Sequence, residues 1–306
     1  MRSRRVVLRV DLGATTIKAG LVVDGRVEAR AEPVPTVGNE GAAAVIDRVV
    51  ALVDRLAPPG APVGIGSCGF LDAQGRIVFS TRTMRGWQGT DLQGEIQRRT
   101  GRRTVADNDG NAAALGEARH GAGLGFQSVA MLTLGTGVGG GFVLNGAIVR
   151  GAGEVATTFG HLKVGHGGRR CPCEARGCLE AYASATALDP RRKDAARVFQ
   201  AARHGDRRAT RLVDRAADAL GAAFTQIAYA LNPDIIIIGG GIAASWPQMR
   251  KRAVARFREG VKIKPAFQST QVAAAALGTD AGIVGAACLV EEPPRRTSSR
   301  AARARR

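Results

Sequence analysis

Short apolar runs separated by glycine turns dominate the first thirty residues of the chain. Residues 6–12 (VVLRVDL) and 17–23 (IKAGLVV) have the composition of strands, and a Gly-Ala-Thr-Thr turn separates them. Asp24-Gly25 then stands between two apolar runs, which is a strong signal for a β-hairpin. The pattern predicts three consecutive strands joined by two tight turns.

The same order of elements returns near the middle of the chain. A run VAMLTL, a glycine loop GTGVGGG and a run FVL precede a second hairpin signal, Asn-Gly, at 145–146. Thr133 and Gly135 stand here where Asp11 and Gly13 stand in the first copy. The repetition predicts an internal duplication, with two α/β lobes that each carry a glycine turn between their first two strands.

Amphipathic helices and short apolar strands fill the rest of the chain. The periodicity predicts helices over 40–56, 91–100, 109–119, most of 194–230, a segment from about Trp246, and 280–290. Strands are predicted over 62–66, 103–106 and 234–238. We expect an N-terminal lobe over 1–117 to which the last helix (278–290) returns, a C-terminal lobe over 118–277, and a disordered basic tail over 291–306. A sticky basic arm is the alternative interpretation of that tail.

Three glycine turns could bind anions through their backbone N–H groups. They lie at 13–16, 135–141 and 239–241. The second fits G-x-G-x-x-G, but a strand follows it where a dinucleotide fold requires a helix, so that fold is disfavoured. Any one of these turns could be only a tight bend. Three of them in a chain with a duplicated hairpin predict nucleotide binding.

The composition is that of a globular protein with a strong excess of positive charge. The 306 residues carry a formal net charge of +18, which could indicate nucleic acid or a polyanionic substrate. The arginines are scattered and aromatic residues are few, so we expect no DNA partner. The N-terminus lacks the apolar run of a signal peptide, and the uncharged run 127–149 contains too many glycines for a membrane helix. We therefore expect a cytoplasmic protein with no membrane partner.

Cysteines cluster in the stretch HLKVGHGGRRCPCEARGCLE. Cys171, Cys173 and Cys178 are three of the five cysteines of the chain, and His161 lies ten residues before the first. Three thiolates and an imidazole are a preferred ligand set for a structural Zn²⁺, whereas a disulfide would leave one sulfur over. His166 is a second candidate for the fourth ligand. Buried cysteines that merely pack are the alternative interpretation.

Polar residues gather where the strand 103–106 gives way to a helix, in the sequence Asp-Asn-Asp-Gly-Asn. Asn108 and Asp109 are ordinary residues for a helix start, where they cap backbone N–H groups. They could also bind the hydroxyls of a polyol, with Asp109 accepting a proton during phosphoryl transfer. Glu180, directly after the last cysteine, is either a first-turn glutamate favoured by the helix dipole or a site residue held in place by the metal.

These motifs together resemble those of the ROK family of sugar kinases and repressors, and the resemblance covers nearly all of 6–290. The residues that carry it are Asp11-Leu-Gly13-Ala14-Thr15, Asn108-Asp109-Gly-Asn111 through Glu117, Leu134 through Gly141, Gly160-His161 with the three cysteines, and Pro233 through Gly241. The resemblance implies a two-lobe, actin-like ATPase fold of the ribonuclease H-like type. It also implies a homodimer or homotetramer.

The resemblance further implies an ATP- and Mg²⁺-dependent kinase that acts on the 6-hydroxyl of a hexose or aminohexose. Asp109 would be the general base, and Asp11 would help to position Mg²⁺. Asn108, Asp109, Thr158, His161 and Glu180 would line the sugar site, and His161 would also bind Zn²⁺ with Cys171, Cys173 and Cys178. The implied ATP site comprises Asp11, Gly13, Ala14, Thr15, Thr16, Lys18, Thr133, Gly135, Thr136, Gly137, Gly139, Gly240 and Gly241.

Three positions depart from the family's pattern. Thr158 stands where the sugar kinases usually have glutamate, which removes a charge-assisted hydrogen bond of about 1.5–3 kcal/mol and favours an unusual or amino-substituted hexose such as kanosamine over glucose. Ala14 replaces a usual glycine, and Thr83 stands near a usual asparagine.

Three other functions remain open at this stage. Thr158 would suit a catalytically weak sugar-binding protein, and the net charge of +18 would suit a kinase that uses polyphosphate. A sugar-responsive regulator is less favoured because the first motif begins at Asp11, which leaves no room for a winged helix before it.

Overall fold

The computed structural model describes residues 6–80 and 84–292. Thr83 and all but the first two residues of the predicted basic tail lie outside these ranges. The strands are β1 (Val6–Leu12), β2 (Thr16–Val23), β3 (Arg26–Arg30), β4 (Val34–Pro35), β5 (Val63–Ser67), β6 (Phe70–Leu71), β7 (Ile77–Phe79), β8 (Thr104–Asn108), β9 (Ser128–Leu134), β10 (Val138–Leu144), β11 (Ala147–Ile148), β12 (Ile235–Gly239) and β13 (Gln271–Ala274). The helices are α1 (Ala42–Leu56), α2 (Leu92–Thr100), α3 (Asp109–His120), α4 (Glu180–Ala183), α5 (Ala185–Leu188), α6 (Ala195–Arg203), α7 (Arg207–Leu231), α8 (Trp246–Gly260), α9 (Lys264–Gln268) and α10 (Ala281–Glu291).

The predicted strands and helices are present, with three differences. The region 194–230, predicted to be mostly helix, comprises two helices, and Asp206 caps the start of the second by accepting a hydrogen bond from the Ala209 N–H. The segment before residue 89, for which no strand is predicted, contains the hairpin β6–β7. The glycines at 139–141 belong to β10, so the second glycine loop is shorter than predicted.

The described chain divides into two compact units. The first comprises residues up to 116 together with 147–156 and the segment from 280 onward, and the second comprises 117–146 and 157–279. Residues 147–156 therefore belong to the first unit, although their position in the chain suggested the second lobe.

The sheet of the first unit has the strand order β3-β2-β1-β5-β8. Strands β1 and β2 are antiparallel, whereas β5 lies parallel to both β1 and β8. The register places Asp11, Gly66 and Asp107 side by side on three adjacent strands. A Cβ atom at Gly66 would lie 3.2 Å from the Cβ of Ala112 and 3.6 Å from the Cα of Asp109. The missing side chain thus lets the first turn of α3 lie directly on the sheet between two aspartates.

Helix α10 is apolar on all sides and is buried in the first unit. Burial removes all of its apolar faces from water, as is usual for a helix without a polar face. It approaches the sheet at Gly64 and α3 at Gly285. A Cβ atom at either glycine would lie only 1.7 Å from a backbone oxygen, that of Ala286 or of Ala112. The buried Arg9 of β1 donates hydrogen bonds to two carbonyl groups of the same helix, and burial lowers its pKa to about 10. These close contacts fix α10 against β1, β5 and α3.

The second unit repeats the topology of the first. Its strands follow the order β10-β9-β12-β13, with β9 and β10 antiparallel and β12 parallel to both of its neighbours. The two predicted Asx-Gly turns also match, since both residues at 24–25 and both at 145–146 have positive φ. The two sheets therefore share the arrangement that the repeated sequence pattern predicts.

Among the described residues, no helix combines the length and the apolar composition that a membrane span requires.

We expect Gly285→Ala to destabilise the first unit strongly. The added methyl group would meet the Ala112 carbonyl oxygen, and a backbone atom cannot rotate away, so the cost should be at least the 1–3 kcal/mol that is roughly typical of overpacking. Chemical denaturation should show this loss. Gly153→Ala is the matched control, because its new methyl group meets only the side chain of Val155 at an ordinary 3.7 Å; equal stability of the two variants would contradict the packing.

Candidate active site and metal centre

The first glycine turn joins β1 to β2 and is shaped by backbone hydrogen bonds. The Gly13 N–H donates to the Thr16 carbonyl at 3.1 Å. Thr36 holds the turn from outside, because its hydroxyl donates to the Gly13 carbonyl at 2.7 Å and its N–H donates to the Thr15 carbonyl at 2.9 Å. Thr16 already belongs to β2, so the turn is one residue shorter than predicted. Thr36 is buried, and no motif in the sequence identifies it as part of this turn.

Asp11 and Lys18 face each other across this hairpin. They are register partners on β1 and β2. Burial raises the pKa of Asp11, and the positive charge of Lys18 opposes that rise. Gly282 of α10 packs closely against the carboxylate, since a Cβ there would lie only 3.1 Å from its Cγ. A carboxylate is the type of protein ligand through which a hydrated Mg²⁺ is usually bound.

Asn108 caps helix α3, as its position at a helix start predicted. Its Oδ1 accepts hydrogen bonds from the N–H groups of Gly110 at 2.9 Å and of Asn111 at 3.2 Å. Its Nδ2 donates to the Gly69 carbonyl at 2.8 Å and to Oδ1 of Asp109 at 3.1 Å. Asn108 is thus the residue that orients Asp109, whatever else it binds.

Asp109 has a strongly perturbed carboxyl group. Burial raises its pKa to about 7, the negative charge of Asp11 raises it further, and hydrogen bonds from Gly110, its own N–H and Asn108 act in the opposite direction. Its side chain is only partly covered, because the residue keeps intermediate exposure. A carboxyl group that titrates near neutral pH is well matched to general base catalysis.

Asp107 is a buried anion that the sequence pattern did not distinguish from its neighbours. Its Oδ2 accepts hydrogen bonds from Nε and from a terminal nitrogen of Arg150, both at 2.8 Å. Its Oδ1 accepts from the Asn108 N–H at 2.6 Å and from Nδ2 of Asn111 at 3.1 Å. The pair is distant in sequence, so only the folded chain reveals it.

The second glycine loop, at 135–137, is held by the segment that follows the cysteines. Glu180 Oε2 accepts a hydrogen bond from the Val138 N–H at 2.9 Å. The Ala185 N–H donates to the Gly135 carbonyl at 2.8 Å, and the Thr186 hydroxyl donates to the Thr136 carbonyl at 2.8 Å. The loop is therefore fixed on its carbonyl side. Thr186 is a second residue that the motifs did not reveal.

Gly139 lies outside this loop, contrary to its predicted place in it. It pairs with Thr133 in the β9–β10 ladder, and a Cβ there would lie 2.6 Å from the Thr133 hydroxyl oxygen. Its role is to leave space for the Thr133 side chain. The third glycine turn does lie next to the second, because a Cβ at Gly240 would lie 2.4 Å from the Leu134 carbonyl oxygen. Gly241 then begins a 3₁₀ helix that leads into α8.

Glu117, at the end of the motif that begins with Asn108, is fully buried. Its carboxylate accepts hydrogen bonds from three backbone N–H groups, those of Ala122, Ala276 and Leu277, at 2.8–3.0 Å. A buried carboxylate is stable only when it is satisfied in this way. Glu117 thus fixes the turn that follows β13 in the second unit.

The three cysteines and His161 converge on one point. Their ligand atoms all lie within 4.8 Å of one another. Sγ of Cys173 lies 3.7 Å from Sγ of Cys178, and Sγ of Cys171 lies 3.8 Å from Nδ1 of His161. Tetrahedral Zn–S bonds of about 2.3 Å place two sulfurs about 3.8 Å apart. The donor set and its spacing fit Zn²⁺, and His161, not His166, joins the cluster.

Two of the other predicted sugar ligands, Thr158 and Glu180, lie close to this cluster in the chain. Thr158 directly precedes a 3₁₀ turn over Phe159–His161. Gly160 in that turn packs against Val138, since a Cβ there would lie 2.0 Å from the Val138 carbonyl oxygen. Glu180 opens α4 with one carboxylate oxygen bound to the Val138 N–H and the other 3.8 Å from Sγ of Cys171. The cysteine segment and the glycine loop thus meet at Val138.

Comparison with known proteins identifies the family of the chain. The ROK family model matches residues 7–293. A glucokinase of Thermotoga maritima is 37% identical over 315 residues, which cover 94% of this chain and 97% of that protein. A ROK hexokinase structure from Thermus thermophilus superposes with a TM-score of 0.80 at 32% identity, covering 93% of this chain and 97% of that one.

A second solved structure adds ligands to the comparison. The ROK family glucokinase of Streptomyces griseus, in complex with glucose and AMPPNP, is 33% identical with a TM-score of 0.79, covering 93% of this chain and 98% of that one. The fold is therefore the α/β fold of these kinases. The family match over nearly the whole chain, the duplicated sheets and the Cys₃His cluster agree, and the chain belongs to the ROK family.

Proposed function

We propose that this protein, a sugar kinase of the ROK family, transfers the terminal phosphoryl group of ATP to the 6-hydroxyl of a hexose or aminohexose. The observation that carries this proposal is Asp109, a carboxylate with a pKa near 7 at the first turn of α3. The glucokinase that binds glucose and AMPPNP supports a hexose and ATP as the two substrates.

Asp109 accepts the proton of the attacking hydroxyl. The freed oxygen forms a bond to the terminal phosphorus, and the bond between that phosphorus and the bridging oxygen of ATP breaks. The products are ADP and a sugar 6-phosphate, and the proton leaves Asp109 to solvent. Such a step depends mainly on positioning and charge stabilisation, and Asn108 supplies the positioning by its hydrogen bond to Asp109.

The glycine turns would hold the phosphates through backbone N–H groups. The set that we assign to ATP keeps Asp11, Gly13, Ala14, Thr15, Thr16, Lys18, Thr133, Gly135, Thr136, Gly137, Gly240 and Gly241. Mg²⁺, when bound, would neutralise the charge that develops on the phosphate oxygens. Asp11 would hold it, because a carboxylate is the usual protein ligand of a hydrated Mg²⁺.

The sugar would be bound by Asn108, His161, Glu180 and Thr158. The second oxygen of Glu180 lies 3.8 Å from Sγ of Cys171, and we assign it the role of accepting a hydrogen bond from a sugar hydroxyl. Thr158 is neutral and short, and it directly precedes the turn that carries His161. Loss of the usual carboxylate at this position favours an amino-substituted hexose over plain glucose in our proposal.

Zn²⁺ would have a structural role in the Cys₃His cluster. Four protein ligands close a tetrahedral site and leave no position for substrate. The ion would hold together the segment from His161 to Cys178, and Glu180 follows directly. By this route the metal would fix the carboxylate that binds the Val138 N–H.

A panel of sugars should identify the substrate and test the reaction class. We expect ATP-dependent ADP release with at least one hexose or aminohexose, and Asp109→Asn should lower kcat by about 10²–10⁴-fold because the amide cannot accept the proton. Sugar binding measured by calorimetry should survive in this isosteric variant. If no sugar reacts with ATP but one reacts with polyphosphate, polyphosphate replaces ATP as the donor. If no sugar reacts with either donor, the kinase proposal is contradicted.

The pH dependence of kcat/KM should show an acidic limb near pH 7. Asp109 must be ionised to act as the base, so the rate should rise about tenfold per pH unit below its pKa and level off above it. Asp11→Asn should move this limb to lower pH, because the negative charge of Asp11 raises the pKa of Asp109. A pH–rate profile of both proteins is the measurement, and a limb that does not move in the variant would contradict the assignment.

Removal of the proposed Zn²⁺ should destabilise the protein and weaken ATP binding. Cys178→Ser should lower the metal content to near zero and lower Tm, and KM for ATP should rise more than KM for the sugar because Glu180 holds the glycine loop. Elemental analysis and thermal denaturation give the readouts. Cys288→Ser is the matched control, since Cys288 lies in α10. A wild-type protein purified without zinc, or a stable Cys178→Ser variant, would contradict the site.

A further inference from the structure

A buried ion pair lies directly beneath the first turn of α3. The Asp107 side chain is 3% exposed and that of Arg150 is 14% exposed. Arg150 comes from the segment 147–156, more than forty residues after the turn that it contacts. Two other carboxylates surround its guanidinium at longer range, Glu292 at 3.6 Å and Glu154 at 4.0 Å.

The two oxygens of Asp107 have separate partners. Oδ2 accepts both hydrogen bonds from Arg150. Oδ1 accepts from the Asn108 N–H and from Asn111 Nδ2, so it is bound to both ends of the turn that contains Asp109. Asp107 therefore connects Arg150 to the turn.

We propose that the Arg150–Asp107 ion pair positions the catalytic turn, because it holds Asp107 charged and fixed so that Asp107 can hold Asn108 and Asn111 and thereby orient Asp109. This inference rests on the proposed role of Asp109 as general base. Asp107 and Arg150 are positioning residues, since neither contacts the reacting atoms in this scheme.

Charge and burial explain why the turn requires this pair. A buried carboxylate without its partner is strongly unfavourable, whereas a neutral replacement of both members costs much less. Loss of Arg150 alone would leave Asp107 to find another cation or a proton, and either change would alter the hydrogen bonds at Oδ1. Displacement of a catalytic group by about 1 Å can lower a rate by about 10²-fold.

The position of the acidic limb in the pH–rate profile is a readout that would not change if the ion pair had only a structural role. The charged group that raises the pKa of Asp109 is Asp11 on β1, which has Lys18 opposite it on β2. Burial and the two nearby aspartates, Asp109 and Asp11, raise the pKa of the Cys68 thiol, so it remains neutral at physiological pH. Asp107 is hydrogen-bonded to the turn that contains Asp109, and Arg150 offsets its negative charge.

The test compares four variants of the full chain: Arg150→Met, Arg150→Lys, Asp107→Asn, and the double variant Asp107→Asn with Arg150→Met. We expect Arg150→Met to lower kcat about 100-fold with KM for ATP changed less than about threefold. Its acidic limb should move to higher pH by about one unit, because the charge of Asp107 is no longer masked. Arg150→Lys should recover part of the rate, and the double variant should return the limb to its wild-type position and exceed Arg150→Met in kcat.

Arg252→Met is the matched control. Arg252 forms a bidentate ion pair with Asp218 on the surface of the second unit, and both N···O distances are 2.7 Å. Its removal should leave kcat and the pH profile unchanged. Thermal denaturation of every variant shows whether it is folded, and if Arg150→Met does not fold, Arg150→Lys and the double variant carry the comparison.

Two results would overturn the inference. A folded Arg150→Met variant with wild-type kcat and an unmoved acidic limb would show that the ion pair is only structural. If Asp109→Asn is inactive in the same experiments, the kinase proposal still stands. Full activity of Asp109→Asn would instead refute the base itself, and the positioning role would fall with it.

Discussion

The close approach of helix α3 to the first sheet is the constraint on which the candidate site depends. It exists because Gly66 has no side chain, so the helix can start between Asp11 and Asp107 at the end of β8. Helix α10 adds its own contacts, since Gly285 meets the Ala112 backbone on the far side. Once these elements are in contact, Asp109 has little freedom, and its chemistry follows from what surrounds it.

Asp109, the proposed general base, illustrates the cost of burying a carboxylate. Its pKa in the folded chain is raised to about 7, well above the value of about 3.9 expected in an unfolded chain. The folded state therefore binds the proton more tightly, and ionisation of Asp109 costs stability as the pH rises from about 4 through 7. The same burial that raises the pKa of Asp109 toward neutral pH thus works against the fold, and the packing of the surrounding apolar strands offsets it.

In the second unit, hydrogen bonds from a neighbouring segment give the glycine loop a defined shape. Glycines lose more conformational entropy on folding than other residues, so the loop at 135–137 needs partners. Glu180, Ala185 and Thr186 provide them from a segment that begins immediately after Cys178. The cysteine cluster thereby acts on the loop through a chain of only a few residues. This arrangement places the proposed metal site next to the proposed phosphate-binding loop.

The sequence by itself determined the elements, the duplication, the family and most of the chemical groups. Apolar periodicity and Asx-Gly turns are local signals, and the Cys₃His spacing is nearly local, so they can be recognised without a fold. Tertiary structure alone decided that His161 and not His166 joins the cysteines, that Gly139 serves Thr133 instead of the loop, and that Arg150 neutralises Asp107. These outcomes depend on contacts between residues far apart in the chain and on burial, and both are set only when the sheets and helices pack.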